Sequence, residues 1–205
     1  MSAFSSPTVH EPGGAYAVMP TEGAVAGHVA QRGPRWYVAN VREGDEASVA
    51  RDCLKLIDRS LLADCFAPQA LRLKKRDGEW RTEPHLLYPG RIFMVTCDPK
   101  ALARELQKLS FWVDLVGEHA DGGGYTPLAP GEQALFELLL DGSHSIAPSE
   151  GSIIDGELHV RWGPLKGQEH RVRKVNRHKR LALVAAGVPG CDTGLLAPLE
   201  VLSKT

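Results

Sequence analysis

The sequence predicts an α+β fold in two parts: a first domain with a largely antiparallel sheet flanked by helices, then a smaller β-barrel. Three observations carry this expectation. Between residues 35 and 140, apolar runs with strand spacing alternate with apolar stripes of helical spacing. Residues 141–152 then turn to Gly, Ser, Pro and His without apolar periodicity, the composition of a short linker. Beyond them, short strands follow one another closely, the pattern of a small barrel. The domains are therefore expected at 34–140 and 153–205.

The first strand is expected at Arg35, where Trp36, Tyr37, Val38 and Val41 form a β-rich apolar run. Asp45 and Glu46 suit the positive end of a helix macrodipole, and Val49, Cys53, Leu56 and Ile57 follow on one helical face, which predicts a helix over about 45–59. Residues 71–82 read as a hairpin, because Asp77-Gly78 supplies the two positive-φ positions of a type I′ turn. The unbroken apolar run Ile92-Phe93-Met94-Val95 predicts a buried strand. Asp98-Pro99 is an N-cap with proline in the first turn, which starts a helix over about 99–109. A strand at 112–116, a glycine loop at 122–124 and a helix at 130–140 complete the domain, in the order β-α-β-β-α-β plus a helix. In the second domain, Leu158, Val160 and Trp162 alternate with His159 and Arg161, and Gly163-Pro164 turns the chain. Val172 and Val175 are out of step for one face, so their strand must twist or bulge. Further strands are expected at 181–185 and 199–202.

The 205 residues are 43% hydrophobic and 24% charged, which marks a folded globular chain. Residues 1–33, rich in Gly, Ala, Ser and Pro, read as a disordered tail, and Met19 within them leaves the start of translation open. No apolar run approaches the roughly 20 residues of a membrane span, and no signal peptide opens the chain, so a cytoplasmic protein without a membrane role is expected. Cys53, Cys65, Cys97 and Cys191 form no C-x-x-C pair; reduced, mostly buried thiols and no metal are expected.

The net charge is only −1, so any case for nucleic acid rests on clustering. Residues 161–180 hold eight Lys or Arg (Arg161, Lys166, Arg171, Arg173, Lys174, Arg177, Lys179, Arg180) against the single acid Glu169, whereas 130–160 hold six acids and no Lys or Arg. Residues 176–180 are expected at a hairpin tip, where Arg177, His178, Lys179 and Arg180 either meet phosphates together or form a solvated face. Arg72, Lys74, Lys75, Arg76 and Arg81 crowd the first hairpin, where such residues bind a partner or simply block edge pairing. Tyr88-Pro89-Gly90 and the strand after it offer either an interface or core. Ser143, His144, Ser145, His159 and His170 assemble no catalytic motif, and no enzyme activity or cofactor is expected.

From Trp36 onward the chain resembles the NusG family of transcription elongation factors. The resemblance rests on R-W-Y-V at 35–38, Y-P-G at 88–90 before an apolar strand, and G-P-L-K-G at 163–167. Within the family, the string from Gly163 to R-H-K-R at 177–180 is most similar to the LoaP-type antiterminators. This implies an N-terminal NGN domain that docks on the RNA polymerase clamp and a tethered KOW barrel, in a monomer that suppresses pausing or termination after binding a nascent leader hairpin. By position, Asn40, Tyr88, Arg91 and Phe93 would face polymerase, with Trp36 in the core. RNA would meet Lys74, Lys75, Arg76 and Arg81, and Lys166, His170, Arg171, Arg173, Lys174, Arg177, His178, Lys179 and Arg180. A general elongation factor whose KOW domain binds Rho or a ribosomal protein, and a structural rRNA-binding KOW protein, are the alternatives. His170 stands where many KOW motifs have a glycine, which implies a reshaped turn that either costs strain or adds a side chain to the RNA-facing surface.

Overall fold

Both faces of strand β1 (Arg35–Val41) are covered, and this organises the first part of the chain. In the computed structural model, which describes residues 33–117 and 124–205, β1 lies inside a four-stranded sheet of order β2-β5-β1-β6, formed with β2 (Asp64–Phe66), β5 (Arg91–Thr96) and β6 (Val113–Leu115). All three ladders of this sheet are antiparallel. Period-two alternation sends Tyr37, Ala39, Val41, Ile92 and Met94 into one apolar cluster, with Val49 and Cys53 of helix α1 (Glu46–Leu56) and Leu102 and Leu106 of helix α2 (Pro99–Leu106). Val38, Phe93 and Val95 enter the opposite cluster, with Leu135, Phe136 and Leu139 of helix α3 (Pro130–Leu139). A run such as Ile92–Val95 carries no polar residue because neither of its faces meets water.

Local chemistry sets the boundaries. Asp98 caps α2, accepting from the Ala101 amide at 2.9 Å, and Pro99 follows in the first turn. Asp45 occupies the N-cap of α1 but makes no side-chain cap bond. Instead Glu46, almost wholly buried, accepts from the amides of Gly44 at 2.9 Å and Gly90 at 2.7 Å. One carboxylate therefore ties the start of α1 to the Tyr88-Pro89-Gly90 turn, whose closing bond runs from the Arg91 amide to the Tyr88 carbonyl with Gly90 at φ 72°. Proline second and positive-φ glycine third make this a type II turn.

The hairpin forms as expected: β3 (Gln69–Arg76) and β4 (Glu79–Leu86) turn at Asp77, φ 51°, and Gly78, φ 86°. β3 also pairs in parallel with the short β7 (Ser145–Ile146). This corrects the reading of 141–152 as a structureless linker, since β7 and the start of β8 (Ser149–Ile154) lie within it and Ser145 and Ser149 are buried. The Gly, Ser and Asp residues there act as turn chemistry: one Asp141 carboxylate oxygen accepts from the Ser143 hydroxyl and from the amides of Ser143 and Ser145.

The C-terminal part is a five-stranded sheet of order β10-β11-β12-β8-β9, with β9 (Glu157–Trp162), β10 (Val172–Asn176), β11 (Leu181–Val184) and β12 (Leu195–Lys204). The β8–β12 ladder is parallel and the rest antiparallel. β10 carries the expected irregularity, a register shift between Val172 and Lys174. The two terminal strands are linked by a side chain: Glu169, in a 3₁₀ turn before β10, accepts from the Val160 amide of β9. His170 sits in that 3₁₀ turn, exposed and without positive φ, and the left-handed position belongs to Gly167, φ 81°; of the two readings of His170, backbone strain therefore does not arise.

The described residues belong to one compact unit, and Ala182, Val184, Leu195, Ala197 and Leu199 share the apolar cluster of Val38, Phe93 and Phe136. Of the four thiols, Cys53 and Cys65 are buried, Cys191 is half-buried and Cys97 is exposed, so the expectation of mostly buried cysteines holds for two. Among the described residues no helix is long and apolar enough to cross a membrane. The expected tail, apart from Gly33, and Gly122 and Gly123 of the glycine loop lie outside the described residues.

Candidate nucleic-acid interface

Two basic segments that are far apart in the chain lie side by side. The β10–β11 turn displays Arg177, His178 and Lys179, with the Lys179 amide bonded to Asn176 Oδ1 at 3.0 Å and Arg180 at φ 52° closing the turn. Arg180 folds back from this tip. Its guanidinium carbon lies 3.6 Å from the centre of the Trp80 ring on β4, and its Nη1 is 3.0 Å from a Glu200 carboxylate oxygen on β12. The contact joins the tip to the β3–β4 hairpin, and β3 runs against β12.

The combined face divides into held and free cations. On the hairpin, Glu83 pairs with Lys74 at 3.1 Å and Arg76 at 2.6 Å, and Arg81 pairs with Glu79 at 3.0 Å. The Lys74 ammonium above all, with Arg76, holds the Glu83 carboxyl below its usual range. These exposed pairs order the side chains while leaving them in contact with water. Lys75, Lys166, Arg173, Lys174, Arg177, His178 and Lys179 are exposed and have no ion pair among the described residues, and His170 is exposed as well. Arg171 differs from the rest: it turns inward, its Nη1 lying 3.1 and 3.2 Å from the two Glu132 carboxylate oxygens and 3.4 Å from the Ala185 carbonyl. With both side chains only about a quarter exposed, that pair fastens the C-terminal sheet to α3.

Between β3 and strands β10–β12 lies a crevice of about 300 Å³, lined by Arg72, Lys174, Asn176, Lys179, Leu181, Leu183 and Leu196. A larger opening, about 540 Å³, separates β9 from β10, but there Glu157 and Glu169 stand among the cations and oppose a phosphate. The composite face around Trp80 and the β10–β11 tip is the better anion surface, because its acids Glu79, Glu83 and Glu200 are each neutralised by a neighbouring cation.

The residues expected to face polymerase separate by burial. Phe93 is wholly inside, its ring 5.2 Å from that of Phe136 in an edge contact, and Tyr88 is 4% exposed. The Tyr88 hydroxyl has no hydrogen-bond partner, and burial above all pushes the phenol well above its usual range. Asn40 and Arg91, opposite one another across β1 and β5, are half-buried. Arg91 donates to the Gly190 carbonyl at 2.8 Å. Trp36 packs edge-on against Phe66 at 5.2 Å, as expected of a core residue.

Sequence reasoning did not find Trp80 or Glu132, and it placed Glu46 only at a helix start. Trp80 had one signal, its place beside the hairpin cations; Glu132 had none, since Arg171 lies far along the chain, and Glu46 gave no sign of its bond to the Gly90 amide. No protein-family model matches the chain, and neither does any curated protein. Among solved structures, the chain is similar to one described as domain interaction in Thermotoga maritima NusG, at 16% identity and a TM-score of 0.44, covering 80% of this chain and 92% of that one.

Proposed function

We propose that the chain is a non-enzymatic transcription regulator that binds RNA polymerase through its first domain, binds a hairpin in nascent RNA, and suppresses pausing or termination on particular operons. One observation supports this above the others: the β3–β4 hairpin and the β10–β11 tip, each a separate cation cluster in sequence, adjoin through Trp80 and Arg180. A face rich in cations with an exposed aromatic ring suits RNA, whose phosphates supply affinity and whose unpaired bases stack. The motif order along the chain, which resembles the NusG family and its LoaP-type branch, supplies the polymerase and antitermination parts of the reading.

Within this reading, Lys75, Lys174, Arg177, His178 and Lys179 make the phosphate contacts, and Arg171 is a structural tie. Of the polymerase-facing set, Asn40 and Arg91 reach the surface, while Tyr88 and Phe93 support it from within. The test is transcription in vitro through a terminator downstream of the protein's own operon leader. Read-through that depends on the leader is the expected result; equal read-through without it identifies a general elongation factor and overturns the RNA-specific reading.

A further inference from the structure

We propose that the crevice between β3 and strands β10–β12 holds a single unpaired nucleotide of RNA, its base against a leucine floor and its phosphates on the cationic rim. The inference rests on the RNA-binding reading above and adds which part of an RNA is recognised. The floor follows from strand register. Lys174, Leu183 and Leu196 lie in one cross-strand row over β10, β11 and β12, and Leu181 lies two residues before Leu183 on the same face. Leu196 is 38% exposed, so the floor is open. Duplex RNA presents phosphates and ribose hydroxyls to a protein and has no use for such a floor, whereas an extruded base has two apolar faces to bury.

The rim supplies what the rest of a nucleotide needs. Lys174 and Lys179 are exposed and carry no ion pair among the described residues. Arg72 also lines the crevice, and its Nε is buried without an acceptor. Its opposite neighbour on β4, Glu83, is already engaged by Lys74 and Arg76. Among the described residues no acceptor meets the Arg72 Nε, and an incoming phosphate or base carbonyl relieves this unpaired buried donor. Asn176 commits its Oδ1 to the Lys179 amide, which leaves its amide N–H groups for a base edge. At about 300 Å³ the crevice is at the small end of ligand clefts, a size for one nucleotide and not for a stem. Trp80, 48% exposed and joined to the crevice wall through Arg180, the chain neighbour of Lys179 and Leu181, offers an aromatic surface for a neighbouring base.

The test measures binding of the full chain to three RNAs by fluorescence anisotropy: a hairpin with one bulged adenosine, the same hairpin with an abasic ribose at that position, and the fully paired stem. Stacking of one base predicts that the abasic change weakens binding by about tenfold. Leu196→Gln, which keeps the charge, brings the bulged RNA to the level of the abasic one without altering the salt dependence. Arg72→Met preserves the stem affinity and lowers that of the bulged RNA. Equal binding of all three RNAs by the parent protein overturns the crevice site and leaves the RNA reading standing. Failure of every RNA to bind overturns both. A glutamate-rich peptide that binds as tightly as the bulged RNA at equal salt assigns the crevice to an acidic protein segment, which also overturns the proposal.

Discussion

The guanidinium of Arg180 stacks on the ring of Trp80 at 3.6 Å, and this cation–π contact links two β-sheets whose basic residues otherwise belong to separate hairpins. Arg180 is half-buried and also salt-bridged to Glu200, so its fork is held from two sides. A double-mutant cycle of Trp80→Ala and Arg180→Ala, followed by urea denaturation, is expected to show a coupling of about 0.5–1 kcal/mol. Independent effects would mean that the stack adds nothing to stability.

The inward turn of Arg171 predicts a different outcome from that of its basic neighbours. Arg171→Ala leaves the Glu132 carboxylate without its partner in a mostly covered place, and it should lower stability by about 1–3 kcal/mol. It should barely change the salt dependence of RNA binding. Lys174→Ala and Lys179→Ala should do the reverse, each lowering the slope of log affinity against log salt by about 0.7–0.9 with little loss of stability. Salt titrations of the three variants separate these roles.

Tyr88 gives the pH prediction. Its folded phenol resists ionisation, so the folded protein keeps that proton where the unfolded chain loses it. The contribution is fully present below the ordinary tyrosine range near pH 10 and is lost as pH rises beyond it. Tyr88→Phe should therefore reduce the alkaline fall in stability. Near neutral pH it should be neutral or stabilising by up to about 1 kcal/mol, because it removes a buried hydroxyl without a partner. Thermal melts across the alkaline range measure both effects.

Two glycines of the G-P-L-K-G segment should respond unequally. Gly163 has φ 101°, and a β-carbon there would come within 2.6 Å of Ser149 Cα on β8. Gly163→Ala combines backbone strain with a backbone clash and should cost about 2–4 kcal/mol. Gly167, φ 81°, faces open space. Its alanine variant should cost only the left-handed backbone term, about 1 kcal/mol. Comparing the two by chemical denaturation isolates the steric part.

Local chemistry made most elements legible. Asp77-Gly78 admits a tight turn because both residues accept positive φ, Asp98-Pro99 starts a helix, and Ile92–Val95 can only be a strand without a wet face. The 141–152 segment misled for the same local reason, since the residues of a free linker are also those of an Asx turn. Hydrogen bonds to β3 and β12, invisible to composition, decide between the two.

The candidate site was legible only as two cation clusters. Residue order sufficed for most strands, for the turns and for the charge that the hairpin tips carry, because period and turn chemistry act between near neighbours. It did not suffice for β2, β7 or β8. The tertiary structure alone decided that Arg180 meets Trp80, that Arg171 is tied to Glu132, and that Tyr88 and Phe93 are covered. A strand's period shows which residues share a face, but what covers that face depends on contacts between distant segments, and no local spacing encodes them.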